Sequence, residues 1–386
     1  MTERFWPEEF LVNDLARAWK ARGDEVEVLT QVPSYPFDAI YDGYENLRLQ
    51  TTEWEGMPVH RVSTIFGYNH KVSRKVINYL HFGWRTLCWA LWFGGRFDRV
   101  FVCHTAALTM AMSVAAFRLP WRRRPVTIWT QDLWPDAVWA YGFRRTWLRE
   151  RLLNCFVRLV YACCDRIAVS CPRYRDRIRQ IAGRESEFVP QWDAAAVPPA
   201  APRAHDDGRT VFMFAGNLGV PQNLPNVIRG FRAFRRRGGV AARAELHFLG
   251  NGVLYDRLVE SCADEPSIVF HGRRPKGEMP LWYARADVMV ISLTREFSLT
   301  LPAKFQSYAA AGKPMFGVLE GAAADLIAEH ELGVTARPDS VDDIAEGFAR
   351  ACRRDFAADG ARARALSERM FNREALVARL IDGKAD

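Results

Sequence analysis

Three glycine-bearing turns, one glutamate and one lysine in the second half of the chain are the residue types that hold a phosphate and help to break a bond to it. Phe214-Ala215-Gly216-Asn217-Leu218-Gly219 ends an apolar strand and precedes a helix starting near Leu224. Its two glycines let backbone N–H groups approach a phosphate at a helix N-terminus. Leu249-Gly250-Asn251-Gly252 repeats the arrangement after the next strand, and Phe270-His271-Gly272-Arg273-Arg274 closes a third with two cations. A plain tight strand-to-helix turn looks the same, although three in one sheet are less easily accidental. His271 reads as a structural histidine at a strand end. Between Thr294 and Pro314, Glu296 follows a strand, Ser298 and Thr300 flank Leu299 with hydroxyls, and Leu301-Pro302 opens a helix carrying Lys304 toward its N-terminal end. A carboxylate grips sugar or ribose hydroxyls, while a helix N-terminus plus a lysine neutralises a diphosphate. The bond from an anomeric carbon to phosphate breaks faster when the developing charge meets preorganised positive charge.

In the first half, the strand Val126–Thr130 delivers Asp132 to the rim of its sheet, with Trp134 and Pro135 beside it to wall a sugar ring. Asp132 suits acceptor or sugar binding, and helix capping is the bland alternative. His104 and Thr105 follow the strand Val100–Cys103 directly; the imidazole fits acid–base work or a structural hydrogen bond equally well.

These groups need elements to position them. Apolar strands at Glu25–Thr30, Val100–Cys103, Val126–Thr130 and Arg166–Ser170 alternate with amphipathic helices such as Glu8–Arg22 and Trp147–Cys163. This rhythm predicts an α/β fold with a parallel doubly wound sheet. Residues 190–209 gather Pro190, Pro198, Pro199 and Pro202 with alanines and Asp206-Asp207-Gly208, which reads as a linker. Strands at Val211–Ala215, Glu245–Leu249, Ile268–His271 and Val288–Ser292 then build a second doubly wound sheet. We expect domains at 1–189 and 210–370 facing each other across a cleft, with a C-terminal helix in 371–386 that packs back on the first. The first helix begins at residue 8 with no strand before it, so the opening central strand looks missing and the natural start is expected ~10–15 residues upstream, since an empty central position would leave unpaired backbone groups.

The chain has 386 residues and a net charge of +8 carried mostly by arginine, which suits phosphate-bearing partners without choosing among them. Its eight cysteines are scattered without C-x-x-C spacing and read as reduced thiols of a cytosolic protein. Met1–Phe10 is charged and turn-like, unlike a signal peptide. His81–Gly95 comes nearest to a spanning helix but holds Arg85 in its middle, so membrane contact is expected to be peripheral. The segment Lys71–Arg99 mixes Lys71, Arg74, Lys75, Arg85 and Arg96 with Tyr79, Phe82, Trp84, Trp89, Trp92 and Phe93. It reads either as a helix dipping into an anionic membrane face or as a buried helix with a basic outer side.

Taken in order, Gly216-Asn217-Leu218-Gly219, Gly250-Asn251-Gly252, Glu296 and Pro302-Ala303-Lys304 through Gly312-Lys313-Pro314 resemble the GT-B-fold, family-4 retaining glycosyltransferases, in the subgroup that builds O-antigens and capsules. Phe5-Trp6-Pro7-Glu8, Pro33-Ser34-Tyr35-Pro36, Asp132-Leu133-Trp134-Pro135-Asp136 and Pro190-Gln191-Trp192 resemble that subgroup's first-domain and hinge signatures. The resemblance implies two facing Rossmann-like domains and catalytic roles for Asp132, Glu296 and Lys304. It implies a donor site of Gly216, Asn217, Gly219, Gly250, Asn251, Gly252, Arg273, Ser298, Leu299 and Thr300. Acceptor contacts would fall to Trp6, Glu8, His104 and Trp134. Two departures stand out: Ser307 falls where the family's second glutamate would be, and Val220-Pro221-Gln222 replaces a lysine after the first glycine turn, leaving Lys304 or Arg273 to supply that charge.

The expected partners are a nucleotide-sugar donor, a lipid-linked or soluble glycan acceptor and an anionic membrane surface. The expected place of action is the cytoplasm, peripheral to the inner membrane. No metal or other cofactor is expected, because helix termini and basic side chains can serve in its place and no Asp-x-Asp sits at a strand end. The rivals are a GT-B nucleotide-sugar epimerase or hydrolase, a non-catalytic glycan-assembly scaffold, and a nucleic-acid binder, for which no recognition motif is present.

Overall fold

A computed structural model of the chain describes residues 1–67, 71–105, 107–140, 142–193 and 208–383. It divides into two compact units, Met1–Val189 with Val377–Asp386, and Pro190–Leu376. Most of the expected linker, including Pro198, Pro199, Pro202, Asp206 and Asp207, lies outside the described residues.

The first unit runs α1 (Leu11–Ala21), β1 (Val28–Gln31), β2 (Leu49–Trp54), β3 (Met57–Val62), α2 (Val72–Phe93), β4 (Val100–His104), a 3₁₀ run Leu108–Arg118, β5 (Val126–Thr130), α3 (Asp136–Ala140), α4 (Trp147–Ala162), β6 (Arg166–Val169), α5 (Pro172–Ala182) and β7 (Glu187–Phe188). Strands β4-β5-β6-β7 form one parallel sheet and β1-β3-β2 a second ladder. Residues 1–3 lie between them. Thr2 N–H donates to Leu29 O (3.1 Å), Cys103 N–H donates to Met1 O (2.9 Å), and Thr2 bridges Cys103 in parallel. Residues 1–3 thus stand at the position expected to be empty and are joined to both β1 and β4.

Two expectations need correction. The first helix begins at Leu11, so Glu8 sits in the turn before it. The β2–β3 pair is antiparallel and interrupts the strand–helix rhythm. Its hairpin turn is Glu55-Gly56, both at positive φ (50° and 71°), the geometry that two-residue hairpins require. The alternating exposure of β2 hid it among polar residues.

The second unit runs β8 (Thr210–Ala215), α6 (Leu224–Arg235), β9 (Ala244–Leu249), α7 (Tyr255–Ser261), β10 (Ile268–Phe270), α8 (Met279–Ala284), β11 (Val288–Ser292), α9 (Ala303–Ala310), β12 (Met315–Val318), α10 (Ala322–Glu329), β13 (Gly333–Ala336), α11 (Val341–Ala351) and α12 (Phe356–Met370). Its six parallel strands take the order β10-β9-β8-β11-β12-β13. The chain winds outward from β8 and returns to β11 on its other side, so the two strands flank a topological switch point, where open α/β sheets bind ligands. A last helix, α13 (Arg373–Asp382), is tied to the first unit: Arg166 donates to Leu380 O (3.0 Å) and Arg379 to Phe188 O (3.0 Å). Among the described residues no helix is long and apolar enough to cross a membrane.

Phe348 on α11 anchors the core beneath β8, with ring centroids 4.8 Å from Phe212, 4.7 Å from Phe316 and 5.2 Å from Phe231. Truncation there opens a cavity that close-packed neighbours cannot fill. Urea unfolding of Phe348→Ala should show the second unit destabilised by about 3–5 kcal/mol. Phe348→Leu should recover more than half of that loss; equal losses for the two variants would contradict this packing.

Candidate functional site

At the switch point the chain stacks its glycine turns directly on one another. Gly216 N–H donates to Leu249 O (2.8 Å), Leu218 N–H to Asn251 O (2.9 Å) and Gly250 N–H to Gly272 O (2.8 Å). Gly250 sits at φ 132°, and a Cβ there would lie 1.9 Å from the Gly216 carbonyl oxygen. No side chain fits that approach, which explains the residue type. Asn217 lies over Gly252, where a Cβ would meet its Oδ1 at 2.5 Å. Gln222, in the segment where relatives carry a lysine, closes the turn by accepting Gly219 N–H at 3.1 Å.

Tyr308 holds the end of β8 in place. Its hydroxyl accepts Ala215 N–H (2.9 Å) and donates to Ala215 O (3.0 Å), which fixes the direction in which the chain leaves the strand at Gly216. One turn of α9 earlier stands Lys304. Its aliphatic stem is half-buried, but the ammonium is buried and has no hydrogen-bond partner. It lies 3.7 Å from the Phe214 ring centroid, and a Cβ at Gly216 would come within 2.9 Å of it. Burial lowers its pKa to about 7. The N-cap of α9 is Pro302, which provides no side-chain cap, so the first-turn amides rely on other partners. An unpaired buried ammonium beside an uncapped helix start and two open turns is an arrangement that an anion completes.

The remaining candidates of this unit are spread around that centre. Glu296 is exposed on the loop after β11; its carboxylate is held below the usual range by its own backbone N–H and the Thr294 hydroxyl. Thr300 spends its hydroxyl on Phe297 O (2.8 Å), Ser298 and Leu299 are half-buried, and Arg273 is exposed. Ser307 bonds the buried Tyr283 and makes a structural pair. Lys313 donates to Ala286 O (2.9 Å) and ties the loop before β12 to the one before β11. His271 faces His247 (3.2 Å); burial first, then His247 and two arginines, lower its pKa to about 4, as befits a neutral structural imidazole.

In the first unit a charged cluster gathers below the ends of β1 and β5. Glu8 accepts Ser34 N–H (2.8 Å) and Tyr35 N–H (2.7 Å), and Arg4 bridges Glu8 and Glu3 at 3.3 Å each. Asp132 has its pKa raised to about 7, chiefly by burial and then by Glu3, with Lys75 opposing. Glu3 is raised by burial as well, and its Oε2 has no partner. Trp6 stacks on Trp54 (6.0 Å) and Trp134 is half-buried, whereas His104 is fully buried, its carbonyl taking Gln131 N–H. Sequence reasoning passed over Glu3, Arg4 and Tyr308, and took Lys75 only as one cation of the α2 segment. The dense alternation of charge and aromatic rings in Glu3–Glu8 was the available signal for the first two; nothing local marks Tyr308.

Residues 10–200 match the family described as a glycosyl transferase 4-like domain, and residues 209–354 the family described as glycosyl transferases group 1. The chain belongs to the GT-B glycosyltransferases. It is 23% identical over 257 residues to the probable glycosyltransferase WbjE of Pseudomonas aeruginosa, an alignment spanning 62% of this chain and 63% of that protein, less than two thirds of the relative's length. A structure described as trehalose-6-phosphate from E. coli bound with UDP-2-fluoro glucose superposes with TM-score 0.71 at 10% identity, covering 98% of this chain and 97% of that one. WaaG, described as a glycosyltransferase involved in lipopolysaccharide biosynthesis, superposes with TM-score 0.64 at 13% identity over the full length of both chains. These likenesses carry the fold: two Rossmann-like α/β domains with parallel sheets.

In this chain the buried lysine yields a stability prediction. The folded pKa of Lys304 lies below its unfolded value, so folding releases a proton, and the penalty grows as pH falls from about 10.5 toward 7. Lys304→Met should therefore be more stable than the parent, by a margin that widens through that window by at most about 1.4 kcal/mol per pH unit and levels off below pH 7. Denaturant unfolding at pH 7 and pH 10 measures it; a margin independent of pH would contradict the burial of the ammonium.

Proposed function

We propose that the chain is a retaining glycosyltransferase that moves a sugar from a nucleotide-sugar to a glycan carried on a lipid diphosphate, at the cytoplasmic face of the inner membrane, in bacterial surface-polysaccharide synthesis. The observation that carries the reading is the unpaired buried ammonium of Lys304 at the switch point of the second sheet. A nucleoside diphosphate leaving an anomeric carbon gains negative charge on its terminal phosphate. Lys304 and the amides of α9 meet that charge without having to reorganise. Glu296 contributes a carboxylate to sugar or ribose hydroxyls, and the Gly216 and Gly250 turns admit the phosphates against the backbone.

The acceptor falls to the first unit. Asp132 orients the attacking hydroxyl, its titration near neutrality leaving it able to accept a hydrogen bond at cytoplasmic pH. The proton goes to the departing phosphate, consistent with retention on one face of the sugar. Trp6 and Trp134 supply flat apolar surfaces for sugar rings, and Glu8, locked by Ser34 and Tyr35, holds the loop beneath them. The donor half works through side-chain and backbone charge, so turnover should persist in a chelator.

The test is incubation with a panel of nucleotide-sugars and a lipid-linked acceptor, followed by NMR of the product. Retained anomeric configuration supports the reading; inversion, or consumption of donor at the same rate with no acceptor, overturns it in favour of another reaction on the same site. Asp132→Asn should lower kcat roughly a hundredfold with the donor affinity unchanged.

A further inference from the structure

We propose that the outer face of the helical layer built by α2 and α4 seats the first unit on an anionic lipid bilayer. This deepens the reading above, on which it rests for a lipid-borne acceptor, by naming the surface at which that lipid is met.

Of 23 large apolar side chains exposed among the described residues, 18 lie in the first unit, including all five exposed tryptophans. On α4, Leu148, Leu152 and Leu159 are each more than half exposed, with exposed Cys155 between them, a spacing that lines one face of a helix. On α2, Ile77, Leu80 and Trp84 make a second such stripe while Phe82 and Ala90 are buried. Both helices pack on the Leu108–Arg118 run, which places them in one layer. The helix is thus buried on one side and carries an exposed apolar stripe on the other. Trp121 and Trp147, 73% and 72% exposed, stand at the turn after that run and at the start of α4.

Charge selects the occupant. From Lys71 to Gln131 the chain carries ten cations and a single acid, Asp98. Arg149, Arg151 and Arg158 flank the α4 stripe, whose lone acid Glu150 is held by Arg145 at 2.9 Å. A second copy pairing along this stripe would set those arginines against their own equivalents. A bilayer with anionic headgroups meets the arginines with opposite charge, receives the leucines below and leaves the indoles in the headgroup zone.

The experiment is flotation of the full chain with vesicles of phosphatidylcholine, alone or mixed with phosphatidylglycerol. We expect association with the mixed vesicles that weakens as salt rises. It should fall about tenfold or more in Leu148→Asn/Leu152→Asn/Leu159→Asn and, separately, in Ile77→Asn/Leu80→Asn/Trp84→Ser. All six positions are exposed, so thermal unfolding and UDP binding should stay as in the parent. Association with neither vesicle, or association indifferent to both triple variants, overturns the proposal. So does a dimer in sedimentation that the α4 variant dissolves, since the face would then join copies. Turnover of a soluble acceptor without vesicle binding removes the docking surface and leaves the transferase reading intact; vesicle binding without any turnover supports the surface and removes that reading.

Discussion

A positive charge without a partner, buried at the switch point of the second sheet, is the constraint around which this unit is arranged. Burying an ammonium unpaired costs several kcal/mol on the order-of-magnitude scale for such groups, and folded chains ordinarily avoid it. Here the surroundings enforce it: Phe214 offers only a ring face and Gly216 presents no side chain. Lys313, nine residues on, shows the contrast, because its ammonium is buried too but donates to Ala286 O. One lysine is spent on the fold; the other, in the proposed reading, is held in reserve for a ligand.

The rest of the unit serves that reserve. The doubly wound order brings the ends of β8 and β11 side by side, and the three glycine turns close on one another through backbone hydrogen bonds, with no room for a Cβ at Gly250 or Gly252. Tyr308, four residues beyond Lys304 on the same helix face, locks β8 to α9 through Ala215 and so couples the turn to the ammonium. The first unit handles charge in the opposite way. Glu3 and Lys75 act on Asp132 with opposite signs, and Arg4 pairs with Glu3 and Glu8, so charge there is offset rather than left alone.

Much of this was legible in the residues, for identifiable reasons. Glycines followed by Asn and a helix announce close backbone approach, and Pro302-Ala303-Lys304 after a strand puts a cation at a helix start; both signals are local, so order along the chain sufficed. The β2–β3 hairpin was not legible because its turn is Glu-Gly and its outer strand polar. The arrangement of residues 1–3 between β1 and β4 depends on partners some thirty and a hundred residues away. That Ser307 pairs with Tyr283, and that Thr300 bonds within its own turn, are tertiary facts that residue type cannot reveal.

The most direct measurement is calorimetric titration of UDP into the protein at pH 8 in two buffers of different ionisation enthalpy. If the Lys304 ammonium receives the diphosphate, binding raises its pKa from about 7 and draws in close to one proton per UDP, an uptake that vanishes in Lys304→Met together with most of the affinity. UDP binding with no proton uptake, or of equal strength in the Met variant, would contradict the account.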